Sequence, residues 1–285
     1  MYSSRRDIFH SLSLSVLLAI LIAGFFSASL GARNEPAQPI PSSTKSLIAI
    51  PAGTVIPIAV PMISSEKTKK GDVIEAWVAQ TVPFENGEKL YRRATVLGHV
   101  VDVTPATPPH GKASLVLRFD TVVQGTQSIS VVTSLRAMAS PLEVESAENP
   151  VFFAGQAQFY DWAPTVQVGG EKVYGLGGPV ANGARIVGRG VDGGVLAQLN
   201  SKPGTSCGGA VDGNNAPQAL WVFSSDACGP YGFPKLMITQ TGGDAPLGEI
   251  VLSSGEGPLK IGAGSAMLLY VLESSHAPSK PGSNQ

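Results

Sequence analysis

Hydrophobic and polar positions alternate with a period of two through much of the chain. In "KASLVLRFD", Ala113, Leu115, Leu117 and Phe119 fall on one side and Ser114, Arg118 and Asp120 on the other. Such alternation marks a strand with one buried and one wetter face. It recurs in "DVIEAWVAQTV", where Ile74, Ala76, Val78 and Val82 align, and in "SISVVTSL", where Ile129, Val131 and Leu135 do. Turn sequences such as "ENGEK" separate these runs, and no long amphipathic helical pattern intervenes. Strands spaced this closely without crossover helices predict an all-β, antiparallel barrel or sandwich over residues 47–140.

Beyond residue 140 the pattern weakens. Residues 141–184 mix an aromatic-rich run, "FFAGQAQFYDWAP", with the glycine-rich "GGEKVYGLGGPVANG", and read as a connecting region. Short apolar runs resume over 185–273 ("RIVGRG", "ALWVFSS", "KLMITQT", "EIVLSS", "PLKIGAG", "AMLLYVLE") and predict a second β-domain. The tail, 274–285, is polar and reads as disordered.

The start of the chain has a different pattern. Arg5 and Arg6 precede an apolar run, densest from Val16 to Phe26, that ends among small residues. This is the layout of a signal peptide over residues 1–32, with cleavage after Gly31 or Ala32 giving a mature N-terminus near Arg33. Counting the flanks from Leu12 to Leu30 brings the run close to the length of a bilayer span, so an uncleaved signal anchor is the alternative. The paired arginines of "SRRDIF" fit a twin-arginine export signal and equally the basic start of a general one. Residues 33–46, rich in Pro and Ser, form a linker.

Charge excludes one class of partner. The chain carries a net charge of −1, and loss of the leader with Arg5, Arg6 and Asp7 makes it −2. A near-neutral surface gains little from releasing counterions, so no nucleic-acid partner is expected. The two cysteines, Cys207 and Cys228, are an even pair in an exported chain, in neither CxxC nor zinc-ligand spacing, and predict a disulfide. Closing a loop of that size is worth about 3 kcal/mol in the chain-entropy account.

The segment running from "LIAIPAGTVIPIAVPM" through "KTKKGDVIEAWVAQ" to "ATVLGHVVDV" resembles the periplasmic β-domain of TrbI-like conjugation and type IV secretion scaffold proteins over residues 47–135. The resemblance implies an envelope-facing β-domain that assembles or binds. Pro51, Gly53, Thr54, Gly71 and Asp72 would then be turn-shaping residues rather than catalysts.

Other motifs carry weaker chemistry. "GRGVDG", from Gly188 to Gly193, satisfies the spacing of a dinucleotide loop, which requires a βαβ unit around it. Asp212, Asn214 and Asn215 offer oxygen ligands in a short loop but lack the distal Glu of a calcium site. His99 stands in a strand beside Leu97, Val101 and Val103, and could be joined on paper to Asp102 and a serine, yet no nucleophile elbow marks one. Asp161, Asp192, Asp226 and Glu249 supply carboxylates without a spacing that selects a pair. Phe159, Tyr160 and Trp162 form a candidate aromatic surface for sugar stacking or for sealing a junction.

No catalytic, cofactor or metal site is expected. The sequence predicts an exported, non-enzymatic protein of the periplasm, cell envelope or exterior. Its partners would be envelope proteins or further copies of itself, with the membrane reached only through an uncleaved N-terminal segment. A polysaccharide-binding module is the second reading and a secreted hydrolase the third.

Overall fold

The computed structural model describes residues 48–108, 110–149, 164–199 and 216–276, all within the folded unit Lys45–Gln285. The first half of the chain supplies β1 (Val55–Val60), β2 (Ile63–Ser64), β3 (Val73–Val78), β4 (Val82–Pro83), β5 (Lys89–Leu90), β6 (Thr95–Thr104), β7 (Ser114–Gln124) and β8 (Gln127–Ala139). Alternation sets their faces: on β3, Ile74, Ala76 and Val78 are buried while Val73, Glu75 and Trp77 are exposed. Leu115, Leu117 and Phe119 of β7 are buried in the same way.

Helix α1 (Pro141–Glu148) follows, capped by Ser140, whose side chain accepts from the Glu143 N–H. Then come β9 (Thr165–Val166), β10 (Lys172–Val173), β11 (Pro179–Asn182), β12 (Arg185–Val191), β13 (Gly194–Ala197) and β14 (Gln218–Ala219). These six form one antiparallel meander in chain order. The chain ends in β15 (Gly229–Tyr231), β16 (Leu236–Gln240), β17 (Ile250–Ser254), β18 (Lys260–Ile261) and β19 (Ser265–His276).

Six strands close a barrel in the order β8, β19, β1, β3, β6, β7 and back to β8. Closure removes the free edges that an open sheet would present. The seam is split. β8 pairs with β7 only near their shared hairpin, Thr121–Gln124 against Gln127–Ser130. Toward the other end of β7, β17 takes its place, with Ile250–Ser253 against Leu117–Ser114.

The structure is nearly all β, as the alternation predicts, but it distributes the two sequence blocks differently. β15, β16, β17 and β19, from the later block, join the sheet begun by β1, β3, β6, β7 and β8. The region read as a connector, 141–184, instead contributes α1 and the strands β9–β11. "ALWVFSS" is a strand only at its first residue, Ala219; the buried chain that follows is mostly turns. The tail expected from 274 begins inside β19, while residues 1–47 and 277–285 lie outside the described residues.

Two apolar clusters explain why β1 shows no alternation and is buried at all six positions. Ile56, Ile58 and Val60 pack inside the barrel with Met267, Leu269 and Val271 of β19. The opposite faces of the same strands, Val55 and Ala59 with Ala266 and Leu268, cluster with Val180, Val195 and Ala197 of the meander. Small side chains on the barrel's outer wall, Ala59, Ala137, Ala139 and Ala266, allow the second sheet to lie close. By contrast, the outer side of β3 is bare.

Ala266→Leu therefore overpacks a covered wall and lowers stability in urea unfolding by about 1–3 kcal/mol. Val73→Leu, on the bare wall, shifts it by no more than about 0.5 kcal/mol. Equal effects would contradict the two-sided burial of β19.

Candidate binding surfaces

The bare wall is formed by β3, β6 and β7. Strand register places Val73 beside His99, Glu75 beside Leu97 and Trp77 beside Thr95. His99 in turn lies beside Arg118, Leu97 beside Thr121 and Thr95 beside Val123. Two irregularities in the β6–β7 pairing shape this face, one at Asp120 and one at Val101. The second reverses the alternation, so Val103 turns toward the core rather than sharing the outer face with His99.

Several polar groups on this wall are paired with one another. The Asp120 carboxylate lies 3.1 Å from His99 Nδ1 and accepts from Thr121 Oγ1 at 2.9 Å. His99 thus engages Asp120, not Asp102 as a paper triad would require. Arg118 Nη2 donates to Glu249 Oε1 at 2.7 Å. Flanking the exposed Glu75 on β3, Val73 is 71% exposed and Trp77 42% exposed.

A separate groove of about 880 Å³ opens beside the Pro51–Thr54 turn. The turn is fixed by Thr54 N–H donating to Pro51 O at 3.2 Å and Gly53 N–H donating to Val271 O at 2.8 Å. Gly53 takes φ +84°, the left-handed conformation that glycine adopts without strain. Phe84, Arg189, Leu196, Gln218 and Tyr270 complete the walls. Gln218 is held by accepting from Val55 N–H at 3.0 Å and donating to Ala216 O at 3.0 Å. Glu85 and Arg189 are the charged groups among its described lining residues and are opposite in sign, so the groove suits an uncharged ligand.

The turn residues singled out in the sequence are divided between places. Pro51, Gly53 and Thr54 line the groove. Gly71 and Asp72 instead extend the β3–β6 ladder, with Gly71 N–H donating to Val100 O at 2.8 Å and Val100 N–H to Asp72 O at 2.9 Å.

Between barrel and meander runs a polar spine that the sequence did not reveal. Gln80 is wholly buried; its Oε1 accepts from the Trp221 N–H at 2.5 Å and its Nε2 donates to Val195 O at 2.9 Å. Trp221, at φ +52°, donates its indole N–H to Glu148 Oε1 at 2.8 Å. Arg136 donates to Ser225 O at 2.9 Å and Ala227 O at 3.1 Å, and Glu171 accepts from both the N–H and the hydroxyl of Ser225. These side chains satisfy backbone groups of a buried segment lacking a continuous ladder. They position structure and touch neither candidate surface directly.

The remaining motifs resolve locally. "GRGVDG" is β12 and its hairpin to β13, where Val191 pairs with Gly194 and Gly193 takes φ +78°. This is strand–turn–strand, without the helix a dinucleotide loop needs. Asp192 sits in that turn, Asp226 accepts from Ser224 Oγ at 2.7 Å, and Glu249 is paired with Arg118. Among the described residues no group of three or more His, Cys, Asp or Glu side chains is arranged to hold a metal ion. Lys235, and then His110, hold the exposed Glu256 carboxyl below its usual range by hydrogen bonds, tying the turn before β7 to the one after β17. Phe159, Tyr160, Asp161, Trp162, Asp212, Asn214, Asn215 and Cys207 lie outside the described residues. The Cys228 N–H donates to Tyr231 Oη at 3.0 Å.

Comparison with protein-family models, curated proteins and solved structures finds no match to this chain.

Gln80→Ala strands the Trp221 N–H and Val195 carbonyl in the interior and lowers stability by about 2–4 kcal/mol. Glu75→Ala on the bare wall stays within about 0.5 kcal/mol of the parent. Chemical unfolding of the two variants checks this, and a Gln80→Ala protein as stable as the parent would contradict the spine's role.

Proposed function

We propose that the protein is an exported, non-enzymatic assembly component of the cell envelope that docks a protein partner on the outer wall of β3, β6 and β7. One observation carries the reading: Trp77 and Val73 stand exposed on an ordered strand in the half of the barrel that the meander leaves bare. Aromatic anchors of this kind dominate protein interfaces, whereas scattered polar contacts add little. Arg118 is paired with Glu249 and Asp120 lies against His99, which leaves Glu75, between Val73 and Trp77, as the carboxylate a partner would have to answer. The likeness of residues 47–135 to TrbI-like scaffold domains favours the same reading. The partner is a further copy of this chain or a second envelope protein.

Export also places Cys207 and Cys228 where thiols oxidise, and the proposal includes a disulfide between them. Denatured, unreduced protein should then take up no thiol-alkylating reagent, and two equivalents after reduction. Uptake of two equivalents without reductant would remove the bridge.

The docking claim is tested by a photo-crosslinker at Val73 in cells, combined with sedimentation of the purified chain. Crosslinks to one defined protein species are expected, and Trp77→Ala should weaken that association by about 30-fold. Unchanged association in the variant, or no protein crosslink, would contradict the assignment.

The groove supports a second reading, an uncharged polysaccharide strand lying along Phe84 and Tyr270. Retention on insoluble polysaccharide that is lost in Tyr270→Ala would favour it.

A further inference from the structure

Over β9–β12 the meander turns its outer face to solvent, while on β13 and β14 the same side, with Leu196 and Ala219, packs on the barrel cluster; the solvent-facing part differs in chemistry from the barrel wall. Register aligns Val166, Lys172, Ala181 and Ile186 across four strands, on the side opposite buried Val173 and Val180. Tyr174 and Arg189 continue the same side, and Ile186 is 70% exposed. At one end the turn "YGLGG" presents Leu176, which is 79% exposed.

That turn is ordered rather than loose. Tyr174 N–H donates to Pro179 O at 3.0 Å, Gly177 N–H to Gly190 O at 2.9 Å, and Gly190 N–H to Gly178 O at 2.8 Å. The fit requires glycine at 190, where a Cβ would stand 2.3 Å from the Gly175 carbonyl oxygen. The fold thus fixes a leucine where it is most exposed. Its neighbours in sequence, Gly175 and Gly177, carry no side chains to flank it.

Charge selects the occupant. Lys172, Arg185 and Arg189 are exposed on the meander, against one exposed carboxylate among its described residues, Asp192, since Glu171 is buried on Ser225. Self-pairing of this face would set cations against their own copies. A protein hot spot depends on a complementary socket and a surrounding seal. A fluid anionic surface needs neither: apolar tips enter the acyl boundary while Lys and Arg stay at the headgroups.

We propose that the meander's outer face is a peripheral docking surface for anionic lipid, with Leu176 as the inserting tip and Lys172 and Arg189 as headgroup contacts. It is separate from the protein-docking wall proposed above and stands or falls independently of it.

The test uses the full chain, native or carrying Leu176→Trp, with vesicles of phosphatidylcholine alone or mixed equally with phosphatidylglycerol. The emission that the Leu176→Trp variant adds to that of the native chain should shift to the blue and be quenched by brominated acyl chains only with the anionic vesicles. The effect should fade as salt screens the surface. The double variant Lys172→Glu, Arg189→Glu, altered at exposed sites, should lose binding by about tenfold or more. Because the N-terminal apolar segment is the same in every variant, it cannot produce these differences. Equal responses to both vesicles, no response, or a double variant that binds as the parent does would overturn the proposal. So would association between protein molecules that disappears in Leu176→Asp, which would assign the face to a protein partner.

Discussion

The pairing of β1 with β19 is the contact on which the structure depends. It runs unbroken through six residue pairs, from Val55 with Tyr270 to Val60 with Ser265, and unites chain segments more than two hundred residues apart. Without it β8, β19 and β1 would not be consecutive staves and the barrel would stay open, exposing edges and the interior of both sequence blocks. The Pro51–Thr54 turn caps this pairing, since Val271 N–H donates to Thr54 O at 2.9 Å while Gly53 N–H donates to Val271 O.

Closure in this order divides the barrel into two sides. β1, β8 and β19 carry small outward residues and accept the meander, whereas β3, β6 and β7 keep their outer faces free. Gln80 ties the two layers together at the boundary, answering the backbone of Trp221 and of Val195 with one amide. The molecule thereby presents a barrel wall on which Trp77 and Val73 stand exposed, and a meander face with an excess of cations and a leucine tip. Their differing chemistry is the basis for assigning them different partners.

Much of the barrel could be read in the sequence because β3, β7 and the first part of β8 each bury one face, and Ile74, Leu115 and Ile129 register that directly. β1 was visible as apolar text, but its two-sided burial depends on Ala266 and Val195, far away in the chain. The strands β9–β11 were hidden because two to four residues each, set among glycines, give no period to detect. "ALWVFSS" misled for a physical reason: its apolar side chains are buried as a strand's would be, yet its backbone is satisfied piecemeal, by single backbone bonds to Val168 and Val195 and by the side chains of Gln80, Arg136 and Glu171. The groove was half legible. Its turn was marked by Pro51 and Gly53, while Tyr270 and Arg189 arrive only through the topology.

Native-state hydrogen exchange on β1 and β19 tests the closure most directly. If the β1–β19 pairing holds the barrel shut, the amides of Ile56, Ile58, Met267 and Leu269 exchange only through global unfolding, with the same free energy and the same denaturant dependence. Exchange of the β19 amides through a lower-energy opening, while β1 remains protected, would contradict the account.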